Sequence, residues 1–193
     1  MADLRVIQGR LVEAEGLVRD ALQEAEARGA RQFGTVGYVL VKLGELAHER
    51  YELEAAREHA AEGVDLMRGW QQPYELTSGY TALAVILQSA GQPEGARRAL
   101  EDATRIQARF PRYYRLAHMV RLCRVRLCLA QEGPEAAARQ AGSDRLGQSA
   151  LLLYREQEQI ALAEVRVTQG RPEEALALLE PLARDAETGG RLG

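Results

Sequence analysis

Histidine has the broadest chemistry of any residue type in this chain, because it binds metals and transfers protons near neutral pH. The 193 residues contain three histidines, His48, His59 and His118, and these are too scattered for a metal site. Glu49 follows His48, but no second histidine lies four residues on, as an H-E-x-x-H zinc motif requires. We therefore expect no bound metal and interpret the histidines as surface or interface residues.

Cys123 and Cys128 are the only cysteines. Five residues apart on a predicted helix, they would face different directions, which argues against a disulfide or a metal pair. Two thiols suit a reducing cytosol better than secretion. The opening residues MADLRVIQG lack the apolar core of a signal peptide, and no apolar run is long enough to cross a bilayer. We predict a cytoplasmic protein without membrane contact.

Other catalytic signatures are missing from the sequence. Lys42 is the only lysine and lies in no G-x-x-x-x-G-K-[ST] phosphate loop. No G-x-S-x-G nucleophile elbow occurs either. Carboxylates are plentiful, but most fall on the polar faces of predicted helices, where a solvated charged face is expected. We predict that the chain is not an enzyme and uses no cofactor.

The charge balance gives no reason to expect nucleic acid as a direct partner. The chain has 25 basic and 28 acidic side chains, a net charge of −3. An electrostatic attraction to DNA, RNA or acidic lipid would need the opposite balance. No basic, glycine-turned helix pair suited to the DNA major groove is evident.

A short motif recurs about every forty residues. It marks the turns between the secondary-structure elements that must position all these side chains. Self-similarity at such a period indicates a repeat architecture, whose units contact only their neighbours and present an extended surface. An alanine follows each turn, and successive alanines are 42, 40, 41 and 38 residues apart. The motif reads QGRLVEAE at 8–15, RYELEAAR at 50–57, GQPEGARR at 91–98, EGPEAAAR at 132–139 and QGRPEEAL at 169–176, with the alanines at Ala14, Ala56, Ala96, Ala137 and Ala175.

Between the turns the apolar residues recur at three- and four-residue steps, as from Val36 to Ala47, which is typical of amphipathic helices. Pro93 and Pro172 suit the first turn of a helix, and glycines fall at the expected helix ends, including the pair at 189–190. No alternating strand pattern competes. We predict antiparallel helix pairs, with helices at about 11–28, 32–50, 53–68, 74–90, 93–108, 112–131, 134–141, 148–169 and 172–187 after a leading remnant at 2–8.

Small residues recur where paired helices should approach each other most closely. Because a small side chain lets two backbones come together, these positions predict the helix contacts of each pair. They are Gly44, Ala56, Ala60 and Gly63 in one pair, with Ala84, Ala96, Leu100 and Ala103 as their counterparts in the next.

This arrangement resembles the tetratricopeptide (TPR) pattern of Leu-Gly or Leu-Ala in a first helix, glycine at the turn and alanine on a second helix. The resemblance implies an all-α, right-handed α-solenoid of four full helix pairs and a partial one. The period is longer than the usual 34 or so residues, and Tyr51 stands where a turn glycine is expected. The matching positions are Leu43-Gly44 with Ala56, Leu83-Ala84 with Gly91 and Ala96, and Leu162-Ala163 with Gly170 and Ala175.

Longer segments resemble the helical-repeat region of MalT-type transcriptional activators, the large ATP-dependent LuxR-type regulators. The likeness runs from about Gln8 to Gly193 and rests on the order and spacing of the turns. It implies that the ATPase and DNA-reading domains of such a regulator lie outside this segment. The segments are LGELAHERYELEAAREHAAEGVDL, YTALAVILQSAGQPEGARRALEDA and IALAEVRVTQGRPEEALALLEPLARDAETGGRLG.

In TPR-like stacks the first helix of each pair lines the concave surface, and the resemblance therefore implies a ligand or partner site there. Aromatic rings beside polar groups are what a sugar or peptide needs, because the rings cover apolar faces and the polar groups fix orientation. The alternative is a mixed surface without a dedicated ligand. The positions carried over are Tyr38, Glu45, His48, Thr81, Val85, Gln88, Met119, Arg126, Ile160 and Glu164.

Two loops between units are rich in aromatic residues, one at 70–74 and one at 110–114. We favour a structural role in which these rings wedge neighbouring units together, over ligand contact. Tyr113, Tyr114 and Arg115 form the richest cluster of rings and cations. An arginine stacked on tyrosine either supports the fold or binds an anion, and the sequence does not choose between them.

By resemblance, the domain senses a small-molecule inducer or a regulatory protein and shifts its parent between a resting monomer and an active oligomer. The alternative is a free-standing TPR-type adaptor whose concave face captures a peptide or a helix. A phosphate-loop ATPase upstream and a LuxR-type helix-turn-helix downstream would favour the regulator, whereas a stop codon near Gly193 would favour the adaptor. Any contact with DNA would be made by a separate C-terminal domain.

The two ends lead us to expect one solenoid domain, 1–193, cut from a longer protein. The last predicted helix carries four leucines, more apolar width than one preceding pair covers, and residues 1–8 look like the tail of an earlier helix. Expressed alone, the segment is expected to hide these faces by self-association or crystal contacts. The leucines are Leu176, Leu178, Leu179 and Leu182.

Overall fold

The computed structural model describes residues 11–29, 34–70, 72–148 and 152–188, and within these ranges every regular element is an α-helix. The predicted remnant at 2–8 and the glycine pair at 189–190 lie outside the described residues. The helices are α1 (Leu11–Ala27), α2 (Gly34–Glu49), α3 (Leu53–Met67), α4 (Pro73–Ser89), α5 (Pro93–Arg109), α6 (Tyr114–Glu132), α7 (Pro134–Ser143), α8 (Leu152–Thr168) and α9 (Pro172–Thr188).

One leading helix and four helix pairs follow one another in the predicted order, with each second helix beginning at or just after the repeat turn. This arrangement confirms the all-α, TPR-like solenoid class. Pro73, Pro93 and Pro134 each stand in the first turn of a helix, where the missing N–H has no intrahelical partner to lose. None of the described helices combines the length and the apolar character that crossing a membrane requires.

Most predicted helix boundaries agree with the structure to within two residues; at the predicted start of about 148, Gln148 itself is not helical, and residues 149–151 lie outside the described residues. Residues 144–147 form a turn, and the described part of α8 begins at Leu152. Arg145 closes the end of α7 in the left-handed conformation (φ 52°), and Gly147 follows with φ 83°. Neither residue continues a right-handed helix. The predicted end of this helix at about 141 agrees with the turn, but no sequence signal marked Arg145 as left-handed.

The turns after α2, α4 and α8 share one geometry. The second residue past each helix is left-handed, with φ values of 61° at Tyr51, 71° at Gly91 and 73° at Gly170. Its N–H donates to the carbonyl oxygen three residues earlier, at 2.9, 3.1 and 2.9 Å respectively. Glycine adopts this conformation without strain, whereas tyrosine does so at some cost in energy. Tyr51 is also 88% exposed.

The contacts divide the chain into two compact units, 1–120 and 121–193, and the boundary falls inside α6. In the first unit, α2 packs on α3 and α4 packs on α5. The first helices of these two pairs, α2 and α4, also touch each other. Two buried clusters support these contacts, one of Val18, Val36, Leu40, Leu43 and Leu46, and one of Ala47, Ala56, Ala60 and Ile86.

Helices α2 and α3 approach each other through glycines. A Cβ atom added to Gly37 would lie 2.5 Å from the carbonyl oxygen of Gly63, and one added to Gly63 would lie 2.5 Å from the carbonyl oxygen of Gly37. A Cβ atom on Gly44 would lie 2.9 Å from the Ala56 carbonyl oxygen. The predicted contact positions Gly44, Ala56, Ala60 and Gly63 are thereby confirmed, and Gly37 joins them.

The alanine that marks each repeat turn has a common structural role. Ala56, Ala96 and Ala137 are completely buried, and Ala175 is 2% exposed. Each stands in the first turn of the second helix of its pair, and the side chain of Ala14 is outside the described ones. A larger side chain would separate the two helices, which explains why the motif holds a small residue at this step.

In the second unit, α7 and α9 both pack on α8. Its core contains side chains of α6, α7 and α8 together with Leu146 from the intervening turn. On α9, Leu176 is 56% exposed, and Leu178, Leu179 and Leu182 are half-buried. The core residues are Leu122, Val125, Ala137, Ala141, Leu146, Ala161 and Val165.

Candidate functional site

The ten residues predicted to line the concave surface all lie on the first helices of their pairs, as the repeat implied. Not one of them is buried. Seven are half-buried, and Arg126, Ile160 and Glu164 are exposed. Their accessibility is compatible with binding, but a role in ligand recognition stays a prediction. Helix α2 holds Tyr38, Glu45 and His48; α4 holds Thr81, Val85 and Gln88; α6 holds Met119 and Arg126; α8 holds Ile160 and Glu164.

A hydrogen bond joins the first helices of two consecutive repeats. Nε2 of His48, in the last turn of α2, lies 2.8 Å from Oγ of Ser89, the last residue of α4. The pair is exposed and separated by 41 positions in sequence, about one repeat period. We call the surface formed by Tyr38, Lys42, Glu45, His48, Thr81, Val85, Gln88 and Ser89 the α2/α4 face.

An aromatic ring and two opposite charges follow one another along α2. Nζ of Lys42 lies 5.3 Å from the centroid of the Tyr38 ring and 2.8 Å from Oε2 of Glu45. The ammonium group is therefore held between a π-face and a carboxylate. This pairing fixes the orientation of the ring and of the carboxylate on the surface, as recognition of a sugar or a peptide requires.

The α4 side of the α2/α4 face is less polar than the α2 side. The hydroxyl of Thr81 donates to the Ser78 carbonyl oxygen at 3.0 Å, a bond within the helix. Val85 lies between the levels of Thr81 and Gln88 and contributes an aliphatic surface. The face thus combines one aromatic ring, one aliphatic patch, an ion pair and an amide, which are groups suited to binding.

In the second unit the predicted residues form a smaller group. Nε of Arg126 on α6 lies 3.6 Å from Oε2 of Glu164 on α8, and both side chains are almost half exposed. Ile160, one turn before Glu164 on α8, is 43% exposed. An exposed isoleucine beside a surface ion pair offers a limited contact area, so we regard the α2/α4 face as the better candidate.

Neither metal binding nor thiol chemistry is favoured by the described residues. Among residues 11–29, 34–70, 72–148 and 152–188, no group of three or more His, Cys, Asp or Glu side chains is arranged to hold a metal ion. Burial raises the pKa of the Cys123 thiol to about 12, although Arg126 and Arg124 oppose the shift. Burial, and then the Glu132 carboxylate, raises the pKa of Cys128. Both thiols are thereby held in the unreactive protonated form.

The aromatic loops have mixed roles. Trp70 packs on the backbone of Gly34 at the start of α2, where any added Cβ atom would collide with it. The guanidinium of Arg115 lies 4.1 Å from the centroid of the Tyr74 ring and so links the first turns of α4 and α6. The Tyr74 contact supports the predicted wedging between consecutive pairs, whereas Trp70 packs within its own pair. Tyr113, by contrast, is 55% exposed.

Sequence reasoning missed the most buried polar contact of the second unit. Glu158 on α8 is completely buried, and its Oε1 lies 3.1 Å from Nη2 of Arg121 on α6. Its Oε2 accepts a hydrogen bond of 2.9 Å from the backbone N–H of Gly147. The signal was available, because Glu158 falls in the same helical stripe as the buried Ala161 and Val165, where an acidic residue is unexpected.

His118 requires a correction. It was interpreted as a surface or interface histidine, but it is only 2% exposed and lies inside the first unit. Its neighbours along α6 explain the difference, since Leu116 and Val120 are both buried and His118 occupies the turn of helix between them.

The comparison with protein families identifies the chain. Its whole length, residues 1–193, matches the family described as the MalT-like TPR region. The chain belongs to this family. Its membership confirms the resemblance inferred from the repeat turns and their spacing. No curated protein matches the sequence at a significant level.

Solved structures of TPR-like repeats are similar in fold. Nearly identical TPR-like repeats from a Podosopora anserina protein assigned as a kinesin light chain superpose with a TM-score of 0.59 at 20% sequence identity, covering 97% of this chain and 92% of that one. A point variant of the same protein gives 0.59 at 18% identity, covering 98% and 93%. At this level of identity the likeness concerns the fold alone.

Proposed function

We propose that this chain is the effector-sensing or protein-interaction repeat region of a MalT-like, LuxR-type transcriptional regulator. The match to the MalT-like TPR region along residues 1–193 is the observation that carries the proposal. In this role the chain works in the cytoplasm, binds a small-molecule inducer or a regulatory protein, and catalyses no reaction. DNA is contacted by a separate domain of the parent, and the chain controls its activation and oligomerisation.

The α2/α4 face is the proposed binding surface. It offers the Tyr38 ring for an apolar face of the ligand, and Glu45 and Gln88 for hydrogen bonds that fix its orientation. The ion pair of Lys42 with Glu45 holds the carboxylate in place before binding. A preordered polar group loses less conformational entropy on binding than a free one, and this favours recognition.

The proposed mechanism needs only two arrangements of consecutive repeats that bind the effector unequally. The hydrogen bond from His48 to Ser89 spans α2 and α4 and would change whenever these helices shift. An effector that contacts both helices stabilises the arrangement in which both sets of contacts can form. A ratio of affinities of about a hundred between the arrangements suffices for a coupling of nearly 3 kcal/mol.

A free-standing adaptor is the second candidate function, because a face with an aromatic ring and both charge signs also suits a peptide. The complete reading frame distinguishes the two. A phosphate-loop ATPase before the repeats and a LuxR-type helix-turn-helix after them would support the regulator. A frame with neither domain would support the adaptor and contradict the regulator.

The functional test measures the oligomeric state of the complete protein while candidate effectors are added. We expect one member of a panel of oligosaccharides and short peptides to shift it from monomer to oligomer in sedimentation velocity. The shift should be lost in Tyr38→Ala and kept in Tyr51→Ala, which removes an exposed ring outside the α2/α4 face. An effector response that is equal in both variants would contradict the proposed location of the site.

Self-association through α9 is part of the proposal. Leu176 is the most exposed leucine of this helix, and half-buried leucines follow it. Light scattering across a dilution series should give a mass that rises with concentration for the unmodified chain and a constant mass for Leu176→Glu. A constant mass for both proteins would contradict self-association through α9.

A further inference from the structure

Among the described residues of the first unit, the turn between α5 and α6 carries a dense group of exposed rings and cations. We call Arg109, Phe110, Arg112, Tyr113 and Tyr114 the α5–α6 surface. Phe110 and Tyr114 are each 40% exposed, and Tyr113 is 55% exposed. The rings of Phe110 and Tyr113 pack edge to face, with centroids 6.1 Å apart and planes at 73°. The two rings therefore support each other's position while keeping much of their surface accessible.

The stretch of sequence that contains this surface is cationic, and its last three arginines, Arg121, Arg124 and Arg126, are ion-paired with Glu158, Asp144 and Glu164 in the second unit. From Ala103 to Gln131 the sequence contains seven arginines and no aspartate or glutamate. Residues outside this stretch therefore hold 18 basic and 28 acidic side chains, a net charge of −10 against +7 within it. Solubility does not require the positive charges to be clustered in one segment, because charges of both signs spread along the chain would serve it equally well.

The arginines of the stretch that lie in the first unit differ in what they contact. Arg105 forms an ion pair with Asp102, and Arg115 stacks on Tyr74, so both have roles within the fold. Arg109 and Arg112 are exposed, and no described carboxylate forms an ion pair with either of them. The dipole of α5 favours a cation such as Arg109 in its last turn. It does not account for Arg112, which lies in the turn itself.

We propose that the α5–α6 surface docks an acidic segment of a partner protein, in which Asp or Glu side chains alternate with apolar ones. Guanidinium groups bind carboxylates with two parallel hydrogen bonds, and the exposed rings cover the apolar side chains between them. A nucleic acid fits less well, because binding to its continuous phosphate backbone draws on many cationic contacts and this surface offers only Arg109 and Arg112. This surface shares no residue with the α2/α4 face, so the inference does not depend on the proposed function.

The test is fluorescence anisotropy of a labelled peptide of repeated Glu-Leu-Asp units, titrated with the complete chain. The expected result is binding that weakens as salt is raised and falls about tenfold in Arg109→Gln/Arg112→Gln. The matched control is Arg97→Gln/Arg105→Gln, which removes two arginines of α5 that already have carboxylate partners. The control should bind within about twofold of the unmodified chain. Circular dichroism confirms that both variants remain helical.

Three outcomes would overturn the proposal. One is no binding of the peptide to the unmodified chain. Another is an equal loss of affinity in the control, since general electrostatics would then explain the binding. The last is tighter binding of a single-stranded oligothymidylate than of the peptide at the same salt concentration, which would assign the surface to nucleic acid. A peptide of Gln-Leu-Asn units should not bind, because it lacks the charges while keeping the apolar side chains.

Discussion

Arg121 on α6 and Glu158 on α8 form an ion pair of 3.1 Å in which the carboxylate is completely buried. The second carboxylate oxygen accepts the N–H of Gly147. One glutamate thereby holds two helices and the turn between α7 and α8 together. A buried carboxylate is costly unless both of its oxygens are satisfied, so the contact depends on all three partners.

Arg121→Met should therefore destabilise the second unit strongly. We expect a loss of about 3 kcal/mol in the free energy of unfolding, because the substitution leaves the Glu158 carboxylate buried without its cation. Urea denaturation followed by circular dichroism provides the measurement. The double variant Arg121→Met/Glu158→Gln should recover part of the loss, since no buried charge remains.

The control for this prediction is the exposed pair of Arg126 and Glu164 between the same two helices. Arg126→Met should change the stability by less than about 1 kcal/mol, because solvent screens that pair. Equal losses at Arg121 and Arg126 would mean that burial does not decide the strength of the contact.

The glycine contact between α2 and α3 leads to a second prediction. Gly37→Ala and Gly63→Ala should each lower stability by about 2 kcal/mol, since the new methyl group would press on a backbone oxygen of the facing helix. Gly16 in α1 is helical and exposed with nothing near it, so Gly16→Ala should raise stability by about 0.5–1 kcal/mol. Thermal unfolding of the three variants is sufficient, and a stabilising Gly63→Ala would refute the close approach.

The left-handed conformation of Tyr51 should lower the free energy of unfolding of the protein. In Tyr51→Gly the left-handed conformation no longer strains a side chain, and Tyr51 is too exposed for its ring to contribute much packing. We expect a gain of about 1 kcal/mol. The reverse change at the equivalent turn, Gly91→Ala, should lose about the same amount. A loss of stability in Tyr51→Gly would contradict this prediction, because it would mean that the 88% exposed ring contributes more through packing than the backbone strain costs.

The buried thiol of Cys123 predicts a pH dependence of stability. Its pKa rises from 9.0 in the unfolded chain to about 12 in the native protein. The contribution of the protonated thiol is complete below pH 9 and is lost as the pH rises towards 12, by up to about 1.4 kcal/mol per pH unit. The loss between pH 8 and 10 should be smaller in Cys123→Ala than in the unmodified chain. Identical slopes would mean that the thiol is not desolvated.

The helices could be predicted from the sequence because their limits are set by local chemistry. Pro93 and Pro172 begin helices, Gly91 and Gly170 close them, and a small residue such as Ala96 follows each turn. The turn geometry at Arg145 could not be predicted, because arginine seldom adopts the left-handed conformation.

The polar contacts were less predictable than the helices, because they depend on which helices meet. The hydrogen bond of His48 with Ser89 requires α2 to contact α4, which the spacing of one repeat permits but does not specify. Glu158 stands in a buried stripe, and only the position of Arg121 on another helix explains why an acidic residue is tolerated there. Whether the α2/α4 face binds an effector stays a prediction that requires direct measurement.

The proposed function is tested most directly by transcription from a promoter controlled by the complete parent protein, measured with and without an effector identified from the panel. His48→Ala and Gln88→Ala change the α2/α4 face, and His59→Ala and Glu58→Ala are matched controls on α3, the second helix of its pair. We predict that the first two variants lose at least about tenfold of the response to effector while the controls keep it, because His48→Ala removes the bond between α2 and α4 and Gln88→Ala removes a proposed ligand contact. Full induction in both His48→Ala and Gln88→Ala, in proteins that remain folded, would contradict it.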